Sequence, residues 1–304
     1  MNTQQDIALI QLFKSIWHGK WFVLIMVVAF SIISVFYALS LPNKYKSDVL
    51  LAPASHDQQA RVSGLGQLGG LASMAGINIG AEADKTAMAL EVLQSRRFIT
   101  DFIQKYELLV PLLAVKSWDW QTNTLKYDQR IYDSENDVWV RKVNAPLQAK
   151  PSLQEAHEAF LEILSFEKAR DSGMLRLSII HPSPEIAQQW VSLLVQELNA
   201  FMQREDIEEA KRSMSFLEKH VKDVQVEELR RAAFQLIEEQ TKRLMLANIR
   251  DEYVFKVIDP AVVSQKRHSP RRSLICIAGA LLGGVVSIFL LLLHFVFRQL
   301  KHSV

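Results

Sequence analysis

The pattern of apolar and polar positions divides the chain into two uncharged runs near its ends and an ordinary mixture between them. Ser273 to Phe297 contains no Asp, Glu, Lys or Arg. About 25 helical residues at 1.5 Å rise reach roughly 37 Å, enough to cross a ~30 Å hydrocarbon core with some tilt. Arg271 and Arg272 precede the run and Arg298 and Lys301 follow it, where long cationic side chains reach headgroups while their stems stay apolar. A transmembrane helix is predicted, because core helices of soluble proteins rarely stay uncharged over such a length. Trp21 to Leu41 is also uncharged, with Trp17 and Trp21 at one edge and Tyr37 near the other, as interfacial aromatics are placed. Ala38-Leu39-Ser40 resembles a leader cleavage site. The run nevertheless exceeds the roughly 7 to 15 residues of a signal-peptide core, which favours an uncleaved anchor.

Two spans put both termini on one side of the bilayer and Pro42 to Arg272 on the other. Lys44, Lys46, Lys266, Arg267, Arg271 and Arg272 crowd the ends of this loop. The positive-inside rule is counted over short loops, so charge alone leaves the side undecided. Only Gln299 to Val304 follow Arg298, and no folded module is expected beyond the second span.

Within the loop, Tyr45 to Ala52 alternates as a strand does and ends at Pro53. Gly64 to Gly80 (GLGQLGGLASMAGINIG) is rich in glycine and small apolar residues. It contains a literal GxGxxG at Gly64, Gly66 and Gly69, but the polar residues before it do not form the strand that a dinucleotide site needs. The Gly66/Gly70 and Gly76/Gly80 spacings fit a small-residue subunit contact or lid, or a plain loop. Ala83 to Leu109 carries Met88, Val92, Phe98, Phe102 and Tyr106 near helical spacing and is predicted as one amphipathic helix stopped by Pro111. Trp118, Trp120, Tyr127, Tyr132 and Trp139 then stand among acidic and amide residues, a mixture that either stacks on sugar faces or packs the lobe onto its neighbours. Ser152 opens a helix with Leu153, Ala156, Phe160, Leu161 and Leu164 on its apolar face. Leu164 to Ala169 and Met174 to His181 read as strands joined at Gly173, and with Tyr45 to Ala52 and Tyr253 to Ile258 they are expected to make a small mixed sheet.

From Glu185 to Ile249 there is no glycine or proline. Ile207, Ala210, Met214, Leu217, Val221 and Val224 keep a 3,4 spacing, a seam suited to lying along a neighbouring helix and expected to help copies of the chain pack. Leu229, Ala233, Leu236 and Ile237 carry the next stripe in another phase. The chain must return to the bilayer at Ser273, so a turn is expected near Val221 to Glu228, giving a helical arm on an α/β base.

Composition narrows the functional classes. A net charge of +2 is too small to point to nucleic acid. The single cysteine, Cys276, excludes an internal disulfide. His157-Glu158 begins an HExxH pattern that fails at Leu161, so no zinc site results. Glu205, Asp206, Glu208 and Glu209, with Glu238 and Glu239, look like paired carboxylates, yet solvated helix faces carry such runs and no nucleophile or histidine sits at a matching spacing. Neither a catalytic residue nor a cofactor or metal site is expected.

The last segment before the second span is the most specific: EYVFKVIDPA, then SPRRS, then a glycine-bearing span. With the first span, the strand after it and the helical arm, this resembles the Wzz family of polysaccharide chain-length regulators, the polysaccharide co-polymerases. The residues that carry the resemblance are Asp259, Pro260, Ala261, Pro270 and Arg271, followed by Gly279, Gly283 and Gly284. Family members often hold a further proline between these two, and Ser264 stands in its place. The resemblance implies an α+β inner-membrane protein without enzymatic activity, with two transmembrane helices (21–41 and 273–297) flanking a periplasmic domain (42–272). That domain would comprise an α/β base (42–183 and 250–272) and a long helical arm (184–249), with cytoplasmic tails at 1–20 and 298–304. It also implies a homo-oligomer that works with a separate polysaccharide polymerase on a lipid-linked glycan and sets the modal length of O-antigen or a related glycan. A membrane subunit of a capsule or exopolysaccharide exporter, partnered by a separate tyrosine kinase, is the competing reading. A sensory receptor fits poorly, because no cytoplasmic output module is visible in the sequence. Independently of the family, Pro260 and Pro270 disfavour helix before them, and Gly279/Gly283 with Ala280/Gly284 allow a close backbone approach, either between protomers or against the first span.

Overall fold

The computed structural model describes residues 20–54, 79–169, 173–221, 226–249 and 252–302. The Gly64 to Gly76 run, with its GxGxxG, lies outside them, and of the paired glycines only Gly80 lies within. The protein is an α+β membrane protein, and its chain falls into two compact units, Met1–Lys44 with Arg267–Val304, and Tyr45–Lys266.

The first unit contains helices α1 (Lys20–Ser40) and α8 (Arg272–His302). Both are long and apolar enough to cross a membrane, each with a mean hydropathy of 2.7 over its span. Their large side chains, Trp21, Ile25, Phe36, Leu281, Val285 and Phe289 among them, point outward. Apolar residues on the outside of a helix pair are what a hydrocarbon solvent selects.

The second unit is built on β1 (Lys44–Pro53), β6 (Leu164–Lys168), β7 (Leu175–His181) and β8 (Phe255–Asp259), hydrogen-bonded in the order β6-β7-β1-β8. Every pairing along this path is antiparallel, which corrects the expected mixed sheet. β6 and β7 are consecutive strands joined by a short connection, which antiparallel pairing permits and a parallel crossover does not. On β7, Leu175, Leu177 and Ile179 alternate inward with Val49 and Leu51 of β1. They meet one face of α6 (Pro184–His220), where Ala187, Trp190, Val191, Leu194, Val195, Leu198 and Met202 recur at helical spacing. Ser183 caps this helix and Pro184 occupies its first turn, as their chemistry favours. The first half of α6 therefore belongs to the core. The expected arm over 184–249 starts inside the core, since a helix without glycine or proline runs on from base into arm with no mark in the sequence.

Asn199 locks α6 to β8. Its amide donates to the Phe255 carbonyl at 2.8 Å, and its Oδ1 accepts from the Val254 and Phe255 N–H groups at 2.9 Å each. The imidazole of His181 is held in one neutral tautomer, its Nε2–H donating to the Pro111 carbonyl at 3.0 Å while Nδ1 accepts from the Ser183 N–H at 3.0 Å.

The expected helix over Ala83 to Leu109 is two helices, α2 (Ile79–Gln94) and α3 (Arg96–Lys105). Ser95 takes an extended conformation (ψ 143°) and its hydroxyl accepts from the Phe98 N–H, restarting the helix. Here capping chemistry outweighed periodicity. α3 ends at Lys105 with Tyr106 as its C-cap, Glu107 follows with a φ of +52°, and Pro111 lies inside the short α4 (Leu109–Leu113). β2 (Val115–Asp119) and β3 (Thr124–Tyr127) form one hairpin, and β4 (Tyr132–Asp133) and β5 (Val138–Trp139) a second. Tyr132 stacks edgewise on Tyr127 and on Trp139. Arg141 staples the end of this lobe to α5 (Leu153–Ile163), reaching the Gln148 and Ala149 carbonyls and both oxygens of Glu155. Ser152 and Glu155 form a capping box at the start of α5.

Two outcomes follow. Asn199→Ala leaves two buried N–H groups and a carbonyl without partners and should cost roughly 3 kcal/mol, seen as a lowered midpoint when the full-length protein in detergent is melted. The Arg141 guanidinium and the Ser152 N–H hold the Glu155 carboxyl at about 2, below its ordinary 4.5. A depressed folded-state value stabilises above the unfolded one, so this contribution is complete above pH 4.5 and fades as pH falls toward 2. Glu155→Gln should flatten the acid side of the stability profile over that interval, measured by circular dichroism.

Candidate functional site

The two spans meet along a row of small residues. A Cβ placed on Gly283 would lie 2.8 Å from the Phe30 Cβ and 3.1 Å from the Val27 Cα, and one on Gly279 would lie 2.6 Å from the Ser34 Oγ. Neither site has room for a side chain without parting the helices. Gly284 is less demanding, since its nearest neighbour would be the Val27 Cγ2 at 3.9 Å. The buried faces also hold Ser34 and Ala38 on α1 and Ser287 on α8. Ser34 and Ser287 turn their hydroxyls onto carbonyls of their own helices, Ser31 and Gly284. Gly279 and Gly283 both lie against the first span of the same chain, one of the two expected neighbours. Ser287, four residues past Gly283, was missed, although its small size at that spacing was a signal in plain view.

Arg272 closes the far end of this pairing. Its guanidinium donates to the Ala38 carbonyl and to the Asn43 Oδ1, each at 3.1 Å. The last carbonyls of a helix lack intrahelical donors, and a cation there also complements the helix dipole. Of the linker residues before it, Asp259 and Pro260 are exposed while Ala261 is buried, its carbonyl accepting from the Gln188 amide at 3.3 Å. The Val262 carbonyl accepts from the Ser47 hydroxyl at 2.8 Å. The Arg271 carbonyl accepts the first helical N–H groups of α8, those of Leu274 and Ile275.

The rest of α6 pairs with α7 (Glu227–Ile249) in a hairpin. The Gln203 amide donates to the Ala247 carbonyl at 2.6 Å, and the Thr241 hydroxyl lies 4.0 Å from the Met214 sulfur. Ala210 and Val221 are buried here, Ile207, Met214 and Leu217 half-buried, and Val224 lies outside the described residues. This seam lies against the returning helix of its own chain. Phe216, Leu229, Phe234 and Leu236 are left exposed, and Phe216, Leu217 and Leu236 share a groove with Arg212 and Gln240. The seam's periodicity was legible, but its partner was not, because a helix stripe carries no label for which neighbour covers it.

Several of the carboxylates that resembled catalytic pairs hold cations. Asp206 takes Lys85 at 2.6 Å and the Tyr253 hydroxyl, Glu205 takes Arg97 at 3.2 Å, and Glu238 pairs with Lys242 at 2.7 Å. Among the described residues, no three His, Cys, Asp or Glu side chains gather as a metal site. His157, of the failed HExxH, has its Nε2 at 3.0 Å from the Gln94 carbonyl.

Two apolar helices at the ends of the chain, closed on each other by glycine, with an α+β domain between them, define a two-span membrane protein. Residues 5–106 match the family model "Wzz: Chain length determinant protein". Among solved structures, the chain is similar to a full-length bacterial polysaccharide co-polymerase at 14% identity, covering 95% of this chain and 98% of that one with a TM-score of 0.38. It is also similar to a fragment of WzzB, a polysaccharide co-polymerase from Salmonella Typhimurium, at 11% identity, covering 75% and 100% respectively with a TM-score of 0.29. No curated protein matches the sequence.

Gly283→Leu should destabilise the paired spans by about 1–3 kcal/mol in mild detergent, the usual cost of overpacking. Gly284→Ala, whose methyl would make only an ordinary contact with Val27, should be neutral in the same unfolding measurement.

Proposed function

We propose that this protein regulates the chain length of a surface polysaccharide, O-antigen or a related glycan, as a homo-oligomeric scaffold in the bacterial inner membrane. The observation that carries the reading is the Wzz match over residues 5–106, joined to an apolar membrane-length helix at each end of the chain. In this reading the domain between the spans lies in the periplasm and both tails in the cytoplasm. A separate polymerase forms the glycosidic bonds, and this chain supplies shape and self-association without a bond-making group.

The hairpin is our candidate for the contact between copies. Its seam of Ile207, Ala210, Met214 and Leu217 builds the arm itself, and the apolar residues left outward, Phe216 at 63% and Phe234 at 56% exposure, are available to a second copy. Large exposed apolar side chains concentrated on one arm mark an association surface. The linker motif, Asp259 to Ala261 and Pro270 with Arg271, joins the sheet to the second span along the chain.

Deleting the gene should turn a modal polysaccharide ladder into an unregulated distribution on a gel, and the intact gene should restore it. Phe216→Asp with Phe234→Asp should reduce oligomer size in detergent and shift the modal length together. An unchanged ladder in the deletion strain would overturn the reading.

A further inference from the structure

A groove of about 730 Å3 runs between the end of α3, α4 and the β4–β5 hairpin. Its volume lies within the roughly 300 to 1,000 Å3 of sites that hold small ligands. Trp139 lines it, half-buried, and its indole N–H has no hydrogen-bond acceptor among the described residues, unlike that of Trp118, which donates to the Asn123 Oδ1 at 2.8 Å. Gln104, Glu107, Asp137 and Lys150 line the same groove and are exposed. The side chains of Gln104, Glu107 and Lys150 make no hydrogen bond or ion pair among the described residues, whereas Asp137 is oriented by the Tyr132 hydroxyl, which donates to its carboxylate. Glu107 and Asp137 both have a left-handed backbone, with φ of +52° and +57°, which fixes the directions in which they leave the chain.

We infer that this groove is a saccharide-binding site, which takes a short run of pyranose units with a sugar face against Trp139 and the hydroxyls against the polar rim. The chemistry of the lining selects that class. A pyranose has an apolar C–H face, which an aromatic ring covers, and a periphery of hydroxyls that both donate and accept. The rim offers an amide, two carboxylates, an ammonium and a free indole N–H, with charges of both signs. A phosphate ligand would call for a concentration of positive charge that the rim lacks. An acyl chain would leave these polar groups facing hydrocarbon. The inference rests on the polysaccharide reading above and adds to it a place where the glycan touches this chain.

The test uses the full-length protein in nanodiscs, with tryptophan fluorescence and saturation-transfer NMR as readouts. The probes are repeat-unit oligosaccharides released from the producing cell's surface polysaccharide, with dextran oligosaccharides of the same size as the control. Saturable binding of the repeat-unit probe is expected, at least about tenfold weaker in Trp139→Ala. Because Trp139→Ala also removes packing on Tyr132, the exposed-rim variants Gln104→Ala and Lys150→Ala, made with unchanged circular dichroism, should weaken binding too. Absence of binding to wild type overturns the inference, as does binding that none of these variants alters or that dextran matches. A regulated ladder lost on gene deletion, without oligosaccharide binding, sinks this site and leaves the chain-length reading standing. Binding with an unchanged ladder does the reverse.

Discussion

The structure depends on the closing of the two spans on each other through Gly279 and Gly283. In hydrocarbon there is little hydrophobic force between helices, so association rests on van der Waals contact and on how closely the backbones approach. Glycine at these two positions lets α8 lie directly on Val27, Phe30 and Ser34. Within the loop domain, β1 and β8 run antiparallel side by side in one sheet, and α6 and α7 pack against each other.

The core of the loop domain answers a second constraint. A sheet with one face to cover needs a helix with a broad apolar stripe, and the first half of α6 supplies it with Trp190, Leu194 and Leu198. Asn199 on the same helix meets the backbone of β8, so the returning strand is held by hydrogen bonds as well as by burial of Phe255. Past Met202 the same helix loses its sheet and gains α7 as partner. One continuous helix thus serves both core and hairpin.

Polar chemistry in this protein is spent on positioning. Lys105 and Tyr106 both reach Glu197, tying α3 to α6, and Arg141 with Glu155 ties the aromatic lobe to α5. Arg272 is spent on the last carbonyls of the first span. The acidic runs along the arm pair with neighbouring cations, as solvated helices do. The polar rim beside Trp139 is the departure from this pattern, since the side chains of Gln104, Glu107 and Lys150 make no hydrogen bond or ion pair among the described residues.

Much of the architecture was legible because its signals are local. Absence of charge over a bilayer's thickness marks a span, alternation marks β1 and β7, and Ser152 with Glu155 announces a helix start, each by short-range chemistry that no distant residue alters. The glycines of the second span were legible as a close approach for the same reason, since only lack of a side chain permits one. The identity of the neighbour was not local. Whether Gly283 meets Val27 or another protomer, whether the Ile207 to Leu217 stripe is covered by α7 or by a second copy, and where α6 passes from core to arm depend on which surfaces the folded chain brings together. The break at Ser95 fell between the two cases, its capping hydroxyl written in the sequence but overridden there by a periodicity that runs straight through it. The sheet's antiparallel order and the groove beside Trp139 came from tertiary structure alone, because residues far apart in the chain must be side by side before either exists.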